Sequence, residues 1–170
     1  MQIRFQNIQF YVLIFILLTS SVALTESNKL EIEIDNPKFS EKGLDDKTYE
    51  IKAKKGLKSD VQLKLFAVEG KFKSNTDGRW IYMEADQGTY DQSLNLIELE
   101  RNIKFYTNEG EMVKSSYATF DMENDIINLK DNISHSIREG LITSDNSVIS
   151  NNFNNFKYQG NVATKFIIKD

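Results

Sequence analysis

The stretch from Arg79 to Glu111, RWIYMEADQGTYDQSLNLIELERNIKFYTNEGE, decides the fold. Ile81, Met83 and Ala85 alternate with Tyr82, Glu84 and Asp86, the period of a strand with one buried face. Asp91-Gln92-Ser93 reads as a turn, and Leu94, Leu96, Ile103 and Phe105 supply the apolar positions of a returning strand. Asn108-Glu109-Gly110 closes the hairpin. Each strand carries a polar interruption at its middle, Asp86-Gln87-Gly88 in one and Glu100-Arg101-Asn102 in the other.

The hairpin repeats along the chain. Gly78-Arg79-Trp80 opens one copy and Gly110-Glu111-Met112 the next. Tyr90-Asp91 corresponds to Phe120-Asp121, and Asn102-Ile103 to Asn132-Ile133. A further copy runs from Gly140-Leu141 to Gly160-Asn161-Val162. Upstream, Tyr49, Ile51 and Ala53 match Ile81, Met83 and Ala85. The spacing is about 30 residues, with a turn roughly every 15, so one degenerate hairpin builds most of the chain.

Strands of this length exceed the usual strand of about 5–6 residues. A polar or glycine break at each midpoint lets a strand bend and pass from one sheet into a facing one. The expected fold is therefore all-β: a folded-over antiparallel sheet, a jelly-roll-like β-taco of ~30-residue hairpin repeats. Leu30-Glu31-Ile32-Glu33-Ile34 reads as the first strand, and Asn36-Pro37 marks an edge or a kink there. Val61, Leu63, Leu65 and Ala67 share one face, continued after a shift by Val68, Gly70 and Phe72. No convincing amphipathic helix follows residue 29.

The 170 residues carry a net charge of −4, with 40% hydrophobic and 27% charged residues. No basic patch of the kind nucleic acid requires is visible. The chain has no cysteine and a single histidine, His135. His135 is read as a packed or rim residue, since it has no second histidine or cysteine with which to bind metal. Glu84, Asp86, Asp91 and Asp121 fall at turns and outward strand positions, where solvated charge outweighs a hydrolase pair. No glycine-rich phosphate loop precedes a helix. The expectation is no enzyme, no catalytic residue, no metal and no cofactor. Trp80 is read as a rim or core aromatic, and Asn132-Ile133-Ser134 as a weak glycosylation sequon.

Residues 5–25 contain no charge, with Arg4 before them and Glu26 after. That span suits one transmembrane helix with the basic side cytoplasmic. The competing reading is a signal peptide cut near Ser21-Val22-Ala23, because the densest apolar run, residues 10–18, is short. The uncleaved anchor is favoured. Residues 1–28 are then anchor and linker, and residues 29–170 an exported β-domain.

This order of features resembles the LptC family of lipopolysaccharide-export proteins. The resembling residues are Asn36-Pro37-Lys38-Phe39, Tyr49-Glu50-Ile51-Lys52-Ala53, the run from Glu84 to Asp91, Leu96, Asn102-Ile103, Thr119-Phe120-Asp121 and Gly160-Asn161-Val162. The resemblance implies a single-pass inner-membrane protein with an OstA-like periplasmic β-jelly-roll. Such a protein accepts the acyl chains of lipopolysaccharide from the inner-membrane ATP-driven extractor, an ABC transporter complex. It passes them to a soluble periplasmic β-taco subunit. Ile51, Leu63, Leu65, Ile81, Met83, Leu96, Ile103 and Phe105 are the expected groove residues. Ile32, Ile34 and Phe39 are the expected transporter-side edge, and Val162, Thr164 and Phe166 the soluble-partner edge. Two alternatives stand beside this reading: a soluble, signal-peptide-cleaved bridge subunit, and a ligand-free structural periplasmic scaffold with a sealed core.

Overall fold

The computed structural model describes residues 31–166 apart from 44, 46 and 61. The expected anchor and linker, Leu30 and Val61 lie outside the described residues. Among those that are described, no helix is long and apolar enough to cross a membrane. The described residues form one antiparallel 11-stranded sheet, an open sheet folded over on itself. The strands are β1 (Ile32–Asp35), β2 (Lys38–Lys42), β3 (Thr48–Lys58), β4 (Leu63–Lys73), β5 (Trp80–Asp91), β6 (Leu96–Thr107), β7 (Met112–Asp121), β8 (Ile126–Ile137), β9 (Gly140–Ser150), β10 (Asn155–Gln159) and β11 (Ala163–Phe166).

From β3 to β9 the sheet is a simple meander, each strand paired to the next. Each outer rung consists of two short strands. β1 pairs with the second half of β3 and β2 with its first half. At the far edge, β10 pairs with the second half of β9 and β11 with its first half. Pro37 sits in the break between β1 and β2, where its missing N–H disturbs no ladder.

The midpoint breaks are where the sheet folds. Ala67, Arg101, Asn102, Asp131 and Asn132 take left-handed backbone, as do Asn36 and Asn161 in the broken edge rungs. Registers shift between Glu84 and Gln87, Glu100 and Ile103, Lys114 and Tyr117, and Lys130 and Ile133. Asparagine tolerates this conformation better than other non-glycine residues. Its side chain then stitches the fold line: Asn102 Nδ2 donates to Asp86 Oδ2 (2.8 Å), Asn132 Nδ2 to Ser116 Oγ (3.0 Å) and Asn161 Nδ2 to Asp145 Oδ2 (2.9 Å). Each donor lies 16 residues after its acceptor, so the internal repeat is a repeat of this stitch.

The breaks also set which residues point inward. In β4 the one left-handed residue, Ala67, exchanges the faces, so Leu65 and Val68 are both buried. In β6 two consecutive left-handed residues, Arg101 and Asn102, leave the alternation unchanged. Ile97 and Leu99 are therefore buried in register with Ile103 and Phe105. This corrects the sequence expectation for Leu96: it is half-buried on the opposite face, and Ile97 and Leu99 occupy the interior instead. Leu94 is exposed in the turn. Val68, Phe72, Ile81, Met83, Val113, Phe120, Ile127, Leu129 and Ile133 extend one continuous core along the inside of the fold.

Removing a stitch should cost a definite amount. Asn102→Ala loses one hydrogen bond and forces a Cβ residue without side-chain compensation into the left-handed region, a loss of about 1–2 kcal/mol. Asn102→Gly loses the bond but relaxes the backbone, and should cost less. Urea unfolding of both variants checks the ranking.

Candidate functional site

The fold line divides the sheet into two facing halves. The front half holds β2 and β11, and the back half β1 and β10. Among the described strands, the connections β2–β3, β4–β5, β6–β7 and β8–β9 border the front half, and β3–β4, β5–β6, β7–β8 and β9–β10 border the back half. These two rows of turns are the lips of the folded sheet.

The inner surfaces meet through aromatic rings. Tyr49 and Phe72 of the front half lie 5.1 and 5.4 Å from Phe120 of the back half, centroid to centroid. Phe39 stacks on Tyr90 at 4.7 Å, and Phe105 reaches both Phe120 and Phe153. Such ring pairs add to the free energy of apolar burial. The middle of the interior is thus filled by the protein's own side chains.

The lips meet along a polar seam. Lys47, from the first front turn, pairs with Asp125 in the third back turn at 2.5 Å, and both are almost fully buried, 4% and 5% exposed. Tyr49 donates its hydroxyl to the same carboxylate at 3.0 Å, and the Asn152 N–H donates to the other oxygen. The Lys47 ammonium also lies over the Phe72 ring. Gly43 fits only because it lacks a side chain, since a Cβ there would lie 1.8 Å from the Met122 carbonyl. Asn95 Nδ2 donates to the Lys42 carbonyl. Further along, Arg79 donates to the Phe153 carbonyl at 2.7 Å and to Asn154 Oδ1 at 2.8 Å, while Glu111 and Asp77 flank its guanidinium. His135, on the front half, hydrogen-bonds through Nδ1 to Tyr158 on β10, and its Nε2 lies 3.0 Å from Glu111.

The lips are offset along the seam. The first front turn contacts the second and third back turns, and the second front turn contacts the fourth back turn. Each half therefore overhangs at one end. At the N-terminal end the back half leaves a groove of about 760 Å³, whose apolar lining includes Ile34, Pro37, Phe39, Leu63 and Tyr90. Ile32 lies beyond it, 61% exposed. At the C-terminal end the front half overhangs, and Ile137, Val162 and Phe166 stand uncovered; Phe166 is 71% exposed.

Of the expected groove residues, Ile51, Leu65, Ile81, Met83, Ile103 and Phe105 are buried in the interior. Leu63 is half-buried at the N-terminal overhang, and Leu96 lies on the other face. Of the edge residues, Ile32, Val162, Thr164 and Phe166 are exposed, and Ile34 and Phe39 half-buried. The lip residues Lys47, Arg79 and Asp125 are not among the residues expected from sequence. They carry no local signal, because Lys47 and Asp125 lie 78 positions apart.

The outer face of the front half carries solvated cross-strand pairs. Lys52 meets Glu69, Lys71 meets Glu50, and Lys104 meets Glu84. Bonds from the Tyr106 hydroxyl and Lys104 hold the Glu84 carboxyl below its usual range. Trp80 lies half-exposed beneath the Lys71 ammonium. Asp91 and Asp121 accept backbone N–H groups within their own turns. Among the described residues no three potential metal ligands cluster.

Burial, reinforced by Asp125, raises the Tyr49 phenol above its ordinary value of 10.0, and burial with nearby Glu41 raises Tyr90 likewise. Burial lowers the Lys47 amine, with the Asp125 bond opposing it. A raised phenol keeps its proton in the folded chain after the unfolded chain has lost its own, so stability falls as pH rises past 10.0. The lowered amine acts in the opposite direction. Each buried phenol steepens the fall by up to about 1.4 kcal/mol per pH unit. Denaturant midpoints measured upward from neutral pH should show that fall, and Tyr49→Phe should flatten it.

Compared with known proteins, the chain matches no family model and shows no significant similarity to any curated protein.

Proposed function

We propose that the chain is a module of a lipid-transfer bridge that carries the acyl chains of lipopolysaccharide from an inner-membrane ATP-driven extractor to a soluble β-taco partner. The observation that carries this reading is the offset of the two halves. It leaves apolar inner surface uncovered at both ends, on the back half at one end and on the front half at the other. One module's overhanging back half is the shape that covers another module's overhanging front half. Stacking of this kind joins the apolar interiors into one path while both broken edge rungs gain main-chain partners.

The chemistry of the interior suits this cargo. It is lined by Ile, Leu, Val, Met and Phe, and acyl methylenes gain about 0.8 kcal/mol each on leaving water. The reading assigns no catalysis to the chain. Its resemblance to the LptC family rests on the β-repeat motifs and on the apolar segment 5–25, which supports an anchored inner-membrane location with the β-domain in the periplasm.

A second reading, a ligand-free periplasmic scaffold, is favoured by the ring-filled centre of the interior. Photocrosslinking separates the two. Photoreactive groups at Leu63 and Phe39 should capture lipopolysaccharide in cells, whereas groups at Glu84 and Lys104 on the outer face should not. Phe166→Asp should reduce recovery of the soluble partner while leaving the unfolding free energy within about 0.5 kcal/mol of the parent, as expected of a surface substitution. No capture at Leu63 or Phe39, together with no lipid in native mass spectra, defeats the carrier reading and leaves the scaffold.

A further inference from the structure

We propose that the seam between the lips is a door, held by the Lys47–Asp125 and Arg79–Phe153 latches, which parts to admit an acyl chain sideways into the interior. The inference rests on the carrier reading, and adds to it the route of loading.

The bonding of the fold separates what must stay closed from what can open. Among the described residues, every strand pairing in the sheet runs along a half or around the fold line, and none joins one lip to the other. The described contacts between the lips are made by turns and side chains, chiefly Lys47 with Asp125, Asn95 with the Lys42 carbonyl, and Arg79 with Phe153 and Asn154. Parting them therefore breaks no ladder hydrogen bond.

The latches are polar groups that water can take over. A buried ion pair recovers its desolvation cost when both partners return to water together, so opening is cheaper than loss of one partner. Beneath the latches, Tyr49, Phe72, Phe105 and Phe120 press against one another across the two halves. Parting the lips in water exposes these rings, which keeps the empty module shut. An acyl chain sliding between them restores the apolar contact. Opening is thus costly without cargo and offset with it, which is what a path through a watery compartment requires. Arg79 and His135 share Glu111 as a neighbour, so the second latch is joined through one carboxylate to the His135–Tyr158 contact between the halves.

The chain lacks cysteine, so introduced thiols are unique. Asn75, whose N–H donates to Asn152 Oδ1 at 3.2 Å across the seam, gives a locking pair with it. In full-length Asn75→Cys/Asn152→Cys protein, uptake of fluorescent lipid A from detergent micelles should fall at least about tenfold on oxidation, because the competent state is removed, and return on reduction. Uptake unchanged by oxidation overturns the door. If the reduced protein and the parent take up no lipid at all, the carrier reading fails instead. The door is then judged by spin labels on Thr76→Cys and Glu123→Cys, exposed on opposite lips. Asp125→Asn or the milder Arg79→Gln should add a longer inter-lip distance below the denaturant concentration that unfolds the sheet. A single unchanged distance in a folded latch variant overturns it.

Discussion

Everything in this chain follows from the need to turn a strand sharply without ending it. A long antiparallel strand that stays straight would give a broad, flat sheet with one apolar face and nothing to cover it. Here β4 to β8 turn at the midpoint, each through a bulge or residues in left-handed backbone, and the sheet covers itself. The cost of the unusual backbone is met locally. Asn102, Asn132 and Asn161 tolerate the conformation and use the side chain to bond the neighbouring strand at its own break. The ladder hydrogen bonds lost at the fold line are partly replaced by this row of side-chain bonds.

The same device explains which parts of the molecule were readable from sequence. The polar breaks at Asp86-Gln87-Gly88 and Glu100-Arg101-Asn102 stand out against alternating strands, so the folded-over sheet was legible. So was the equivalence of Asn102 with Asn132, though not the bonds that those side chains make. The inward set was legible wherever a break was absent or its effect was visible, as at Ala67, where the apolar residues themselves change parity between Leu65 and Val68. It was misread at Leu96. The number of residues spent in the break decides whether the faces exchange, and two left-handed residues in a row exchange nothing. Composition does not reveal that number. The seam was illegible for a different reason: Lys47 and Asp125 meet only because several intervening strands have already folded.

Folding a twisted sheet along its midline does not bring its lips into register. Adjacent strands rotate against each other, so the two halves diverge and one lip advances along the other. The offset is visible in the contacts, where the first front turn has passed the first back turn and meets the second and third. An isolated sandwich would suffer from this, because each overhang leaves apolar residues such as Ile32 and Phe166 in water. Edge strands that invite pairing are normally blunted by charge, proline or brevity. β1 and β2 use all three, with Glu33, Asp35, Lys38, Glu41 and Lys42 around Pro37, whereas Lys165 alone supplies charge within the four-residue β11. The C-terminal edge is thus the less protected of the two.

A filled interior and a carrier's interior are compatible in one physical case, when the packing that fills the space is held by contacts that cargo can replace. Aromatic rings pressed across a seam meet that condition better than aliphatic side chains interlocked within one sheet. A ring can slide along an acyl chain and keep most of its contact area, whereas a displaced Ile or Leu in a dense core leaves a void. The distribution of residues follows that division. Leu99, Ile103, Leu129 and Ile133 lie close to the breaks at the fold line, where the halves are continuous chain and never part, while Ile81, Ile97 and Ile127 stand level with Phe72 and Phe120. Tyr49, Phe72, Phe105, Phe120 and Phe153 lie towards the lips. The core beside the fold line is aliphatic and the rings that meet across the mouth lie nearer the lips, so in the proposed opening the fold line stays packed while the lips part.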